Sequence, residues 1–246
     1  MSNSKVNLFL LPYAGGTGAS FKSFVAGLPS WVRPIPVTLP GRGVRFRDPA
    51  LTDWPELVDQ LANELIGDAR QPYALFGHSL GALVALELAH RFRSLGCHDL
   101  VWLGVSACVA PACRERGEDW LACEENVFLD KLRTLGGTPA ELLENRELLD
   151  LYLPALRADF HLASTYAALS RDPLGARMLI LAGEDDADVV SPPNNLTVWA
   201  QETTGVHRTS LHPGGHFFIN DQAPQIARIC SDDIGAALML DEVAHG

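Results

Sequence analysis

The sequence predicts an α/β fold: one domain over residues 1–246, with a mostly parallel central sheet flanked by helices and a helical insertion at about 114–169. Three observations carry this. Short apolar runs alternate with stretches of helical period, the pattern of a parallel sheet covered on both faces. One strand-to-helix junction is compressed into the turn Gly77-His78-Ser79-Leu80-Gly81. The strand rhythm then stops near Arg114 and resumes only at Met178.

In chain order, Val6 to Leu11 reads as a buried strand, followed by the loop Pro12-Tyr13-Ala14-Gly15-Gly16-Thr17-Gly18. Val32 to Thr38 is a second strand, followed by the loop Leu39-Pro40-Gly41-Arg42-Gly43. Leu57, Leu61 and Leu65 recur every fourth residue, which predicts an amphipathic helix from Trp54 to Ile66 with Asp53 as its N-cap. Residues 73–76 form the strand that enters the Ser79 turn. A helix runs on to about Leu95, where Gly96 stops it. Leu100 to Val105 is the next strand.

Residues 114–151 are charged and helical in pattern, broken at Gly136-Gly137-Thr138-Pro139. A further helix is expected over Ala155 to Leu169. Together these segments read as a lid over the C-terminal edge of the sheet. Met178 to Ala182 resumes the sheet, Asn195 to Gln201 is a helix, and Val206 to Leu211 is the last strand. A closing helix begins at Ala223.

Composition narrows the function. The chain has 246 residues, is 47% apolar and carries a formal net charge of −11. That sign disfavours nucleic acid and anionic membrane surfaces as partners. The N-terminus leads straight into a strand without a signal peptide, and no apolar run is long enough to span a membrane. Five cysteines, an odd number without metal-type spacing, fit a reducing compartment. A cytoplasmic monomer that needs no metal or cofactor is expected.

The chemistry centres on Ser79. A glycine on each side at two residues' distance, a strand before and a helix after describe the turn that lifts a nucleophilic serine above an α/β-hydrolase sheet. A serine needs a base, and the base needs a carboxylate to hold its tautomer. On this fold the order is Ser, acid, His. The acid is expected in Gly183-Glu184-Asp185-Asp186-Ala187-Asp188, with Asp186 the first choice and Asp185 and Asp188 its competitors. The base is expected in His212-Pro213-Gly214-Gly215-His216-Phe217-Phe218, at His216, with His212 structural. The backbone N–H groups of Leu80 and Ala14 are the expected oxyanion donors. The Ala14 loop matches neither a phosphate-binding loop nor Gly-x-Gly-x-x-Gly.

Six segments go further. Leu11-Pro12-Tyr13-Ala14-Gly15-Gly16, Leu39-Pro40-Gly41-Arg42-Gly43-Val44-Arg45 and Gly77-His78-Ser79-Leu80-Gly81 come first. Leu135-Gly136-Gly137-Thr138-Pro139, Leu156-Arg157-Ala158-Asp159-Phe160 and Pro213-Gly214-Gly215-His216-Phe217-Phe218 follow. In this order the chain resembles the type II thioesterases, free-standing editing enzymes of nonribosomal peptide and polyketide assembly lines that make antibiotics or siderophores. The resemblance implies Ser79, Asp186 and His216 as the triad, and Ala14 and Leu80 as the oxyanion amides. It also implies hydrolysis of misplaced acyl or aminoacyl thioesters from the phosphopantetheine arm of acyl or peptidyl carrier proteins. A carboxylesterase, lipase or acyltransferase acting on small free substrates is the alternative.

Further residues carry weaker expectations. Tyr13, His78, Phe128, Leu156, Phe160 and Tyr166 are candidates for substrate contact, and those in the insertion could equally pack the lid onto the body. Carrier proteins are commonly acidic, so docking on this acidic chain needs a local basic patch. Arg42, Arg45 and Arg47 are the candidates, with loop-fixing ion pairs as the competing role for the first two.

Overall fold

The computed structural model describes residues 6–138 and 140–244; Pro139 of the insertion's break lies outside them. The strands are β1 (Val6–Leu11), β2 (Val32–Pro36), β3 (Tyr73–His78), β4 (Leu100–Ser106), β5 (Arg177–Gly183) and β6 (His207–His212). They form one parallel sheet in the order β2-β1-β3-β4-β5-β6. From β1 the chain turns one way to β2 and then crosses to β3 on the other side. The loops after β1 and β3 therefore part at the C-terminal edge, where an open α/β sheet has its binding crevice.

Period-two alternation divides the strand side chains between two cores. Phe9, Leu75, Leu103 and Ile180 pack with α2 (Trp54–Leu65) and α3 (Leu80–Ser94) on one face. Leu8, Phe76, Trp102 and Leu179 pack with α1 (Lys22–Ala26) and the closing helix α9 (Ala223–Ala244) on the other. Asp53 caps α2 by accepting from the Glu56 N–H at 3.0 Å, an interaction that contributes about 1 kcal/mol. Gly96 ends α3 with a left-handed φ of +82°. Among the described residues, no helix is long and apolar enough to cross a membrane.

The insertion holds α4 (Glu125–Leu135), α5 (Ala140–Glu144) and α6 (Arg146–Thr165). Two expectations need correcting here. The helix predicted from Ala155 begins at Arg146, where Asn145 caps it, and it runs through Pro154. It ends before Leu169, because Tyr166 leaves the helix to donate its hydroxyl to Glu87 of α3 at 2.7 Å. The helix predicted at 195–201 is a short α8 (Asn194–Thr197) continued by a 3-10 turn. Helix α1 was not legible after a loop so rich in glycine. Trp120, Phe128, Leu132 and Leu156 form a small core within the insertion, separate from the two large ones.

Candidate active site

The Ser79 turn is forced by its glycines. A Cβ on Gly77 would collide with the backbone of Gly81, and one on Gly81 with the carbonyl of Leu11. With both side chains absent, β1, β3 and the start of α3 meet backbone to backbone. Ser79 is left at φ 56°, ψ −119°, a conformation that costs a non-glycine residue about 1–3 kcal/mol. Its N–H donates to the Ser106 carbonyl at 2.8 Å, so the end of β4 holds the turn in place.

The acid and histidine loops extend β5 and β6 and are zipped together. Glu184 N–H donates to the His212 carbonyl at 2.8 Å, and Asp185 N–H to the Gly214 carbonyl at 3.0 Å. Gly183 permits this, because a Cβ there would strike the backbone of Gly214 and Gly215. Asp186 then sits at the start of α7 (Ala187–Val190), buried, and accepts from His216 Nδ1 at 2.7 Å. Asp185 and Asp188 are exposed. His212 is buried instead against Phe218, its ring stacked at 5.5 Å and hydrogen-bonded to Ser210 at 3.1 Å.

Ser79, Leu80 and His216 line two adjoining cavities. One, of about 190 Å³, also includes Asp186, Asp188 and Arg114. The other, of about 170 Å³, is walled by Tyr13, Ala14, Leu132, Leu135, Phe160 and Phe217. Gly137 of the insertion closes down on the Phe217 ring, with no room for a side chain between them. A larger cavity of about 570 Å³ lies at the opposite ends of the strands, beside Tyr73 and Leu100, and contains none of these groups.

Tyr13, Ala14 and Phe160 therefore reach the site as the sequence suggested. Phe128 and Tyr166 do not line these cavities: Phe128 is buried in the insertion's own core and Tyr166 is bound to Glu87. Leu156 packs against the Gly15 loop rather than the cavities. Arg114 and Ala163 line the site but carried no signal in the sequence, and Leu135, which opens one of the six segments, was not among the expected contacts. Their positions depend on how the insertion folds back.

His78 is also corrected. It is fully buried, hydrogen-bonded through Nδ1 to Ser106 Oγ at 2.9 Å, and borders a separate cavity of about 120 Å³. Burial, and then the His216 ring 5.5 Å away, pushes its pKa down to about 3. His78 is thus a neutral neighbour that places no competing cation beside His216.

The arginines separate by burial. Arg42 is buried and forks onto Asp159 of α6, so it is unavailable for docking. Arg45 pairs with Asp48 and Glu64 at 2.7 and 2.8 Å, the loop-fixing role. Arg47 is exposed, and among the described residues no carboxylate pairs with it.

The family model described as "Thioesterase domain" matches residues 6–234. Linear gramicidin dehydrogenase LgrE of Brevibacillus parabrevis is 33% identical over 241 residues, 97% of this chain and 91% of LgrE. Thioesterase PikA5 of Streptomyces venezuelae is 36% identical, over 94% of this chain and 82% of PikA5. The solved structure of the type II thioesterase BorB, from the borrelidin biosynthetic cluster, superposes with a TM-score of 0.81 at 32% identity. That match covers 93% of this chain and 91% of BorB. LgrE carries a dehydrogenase's name, yet the loop after β1 in this chain reads Pro-Tyr-Ala-Gly-Gly and has no Gly-x-Gly-x-x-Gly turn. By its family model, its relatives and its fold, the chain belongs to the thioesterase family, as a type II thioesterase of the α/β-hydrolase superfamily.

Proposed function

We propose that this enzyme hydrolyses misplaced acyl or aminoacyl thioesters from the phosphopantetheine arm of carrier proteins in nonribosomal peptide or polyketide synthesis, and that it does so in the cytoplasm. The observation that carries the chemistry is the 2.7 Å bond from His216 Nδ1 to Asp186, in a cavity that Ser79 shares. A proton held on Nδ1 leaves Nε2 as the base. Ser79 Oγ attacks the thioester carbonyl as Nε2 takes its proton, and the Leu80 and Ala14 N–H groups stabilise the oxyanion. The C–S bond breaks, and the pantetheine thiolate takes the proton from His216, which leaves the imidazole neutral again. Water, deprotonated by His216, then cleaves the acyl-serine, and His216 returns the proton to Ser79 Oγ. Asp186 remains ionised throughout.

Docking is assigned to the tip of the loop after β2. Val44 there is 95% exposed, Phe46 is 44% exposed, and Arg47 offers an exposed cation to an acidic carrier. A panel of acylated carrier proteins, matched small thioesters and free esters tests the whole reading. Carrier-bound thioesters should turn over best, and Ser79→Ala should lose about 10⁴-fold or more. Arg47→Glu should slow only the carrier-bound substrates. Preference for free esters would make the protein a carboxylesterase, and acyl transfer to added acceptors in place of water would make it an acyltransferase.

A further inference from the structure

We propose that Asp159, a carboxylate on the insertion helix α6, is a positioning residue for the oxyanion hole; the inference rests on the catalytic reading above. Tyr13–Gly16 is a β-turn: Gly16 N–H donates to the Tyr13 carbonyl at 2.8 Å, and Gly15 has a φ of +79°. A left-handed residue at the third position, after one that is not, is the type II arrangement, which turns the central N–H outward. That N–H, on Gly15, donates to Asp159 Oδ2 at 2.7 Å. The donor assigned to the oxyanion is on Ala14, the residue before it.

The carboxylate is itself fixed. Asp159 and Arg42 are 1% and 2% exposed. Arg42 Nη1 bonds to Oδ2, and Nη2 bonds to Oδ1 at 2.7 Å. The same guanidinium reaches the Pro40 carbonyl through Nε and Nη2, at 3.3 and 3.2 Å. One turn earlier on α6, Leu156 presses on the turn, its Cδ2 2.6 Å from where a Gly15 Cβ would stand. A desolvated ion pair adds little net stability over an apolar replacement. What this one does supply is an aimed acceptor, 144 residues away in sequence, for one backbone N–H. Trp54 Nε1 adds a second tie from the body to α6, donating to the Leu162 carbonyl at 2.9 Å. From Asp159 onward α6 therefore belongs to the catalytic machinery, and the insertion's freedom to open is confined to the segments before it.

The test measures kcat, KM and the inhibition constant of a trifluoromethyl ketone thioether, whose adduct places an oxyanion in the hole. Variants are Asp159→Ala, Asp159→Asn and, as a reference, Ser79→Ala. Asp159→Ala should lose about 10²-fold in kcat with KM within about threefold, and analogue affinity should fall in parallel. Asp159→Asn keeps an oxygen for the Gly15 N–H but loses the charge, and should recover about tenfold of that loss, leaving about a tenfold deficit. Unchanged kcat in Asp159→Ala, or equal losses in the two variants, would overturn the proposal. If Asp159→Ala does not fold, Asp159→Asn decides alone: kcat and analogue affinity fall together, or the proposal fails. An inert Ser79→Ala beside an unimpaired Asp159→Ala removes this inference only, whereas an active Ser79→Ala removes the catalytic reading and this inference with it.

Discussion

Below Ser79, backbone lies against backbone. Gly77 and Gly81 let β1, β3 and α3 touch, and Gly183 lets the acid and histidine loops close on each other. Above Ser79, the insertion is held by side chains. Its own core is Trp120, Phe128, Leu132 and Leu156, outside both large cores of the body. The difference suits the proposed chemistry. Triad geometry must hold to a fraction of an ångström, and main-chain contacts have no rotamers to adjust. A cover over the substrate must admit acyl groups and release acids, and a small apolar core of its own can loosen without disturbing the sheet.

The largest effect expected from this comparison is at the acid. Asp186→Asn should keep the fold and lower kcat by about 10⁴-fold, because an amide cannot hold His216 in the tautomer that leaves Nε2 free. Asp185→Asn and Asp188→Asn, at exposed positions of the same loop, should stay within about threefold. Steady-state kinetics on one small thioester separates them. A loss at Asp188 as large as at Asp186 would mean that the zipped loops do not select the acid.

Next in size are the glycines beneath the serine. Gly81→Ala drives a methyl into the Leu11 carbonyl and should cost about 3 kcal/mol or more, or prevent folding. Gly215→Ala, with open space around it in the same site, should cost about 0.5 kcal/mol or less. In the insertion, Gly136 has a left-handed φ of +72° but nothing near it, so Gly136→Ala should cost about 1 kcal/mol from backbone strain alone. Denaturant titration of the three variants ranks them. Equal losses at Gly81 and Gly215 would break the claim that close approach governs the floor.

The two regions also differed in how far their sequence could be read. Ser79, Asp186 and His216 each follow a strand of recognisable pattern, with glycines marking where the chain turns sharply, so local signals sufficed to bring the three to one cavity. Asp186 could be preferred but not separated from its neighbours, because burial of one carboxylate among four depends on the β5–β6 register. The partner of Arg42 lies 117 residues away on α6, and no local pattern links a loop arginine to a helix aspartate at that distance. The start of α6 was misplaced because Pro154 reads as a boundary, whereas Leu149 and Leu156 bury the same helix on either side of it. Cavity-lining residues Arg114 and Ala163 follow from that fold-back and had no signature of their own.

The smallest expected effect on catalysis is at Phe128, and it bears most directly on the independence of the cover. Its side chain is fully buried against Trp120 and Phe160, with ring centroids 5.6 and 5.3 Å apart and the Arg157 guanidinium 5.0 Å from its face. Removing such a ring costs about 3–5 kcal/mol where the loss is felt by the whole fold. Here it should be felt by the insertion's core alone. In Phe128→Ala, amide exchange should quicken across Glu125–Leu135, while β3 and β4 keep their protection and kcat on a small thioester changes by less than about threefold. Residues after Asp159 should also keep their protection, since Arg42 and Trp54 tie that part of α6 to the body. Accelerated exchange that reached β3 would show cover and floor unfolding as one unit, and a boundary other than Asp159 would move the line between them.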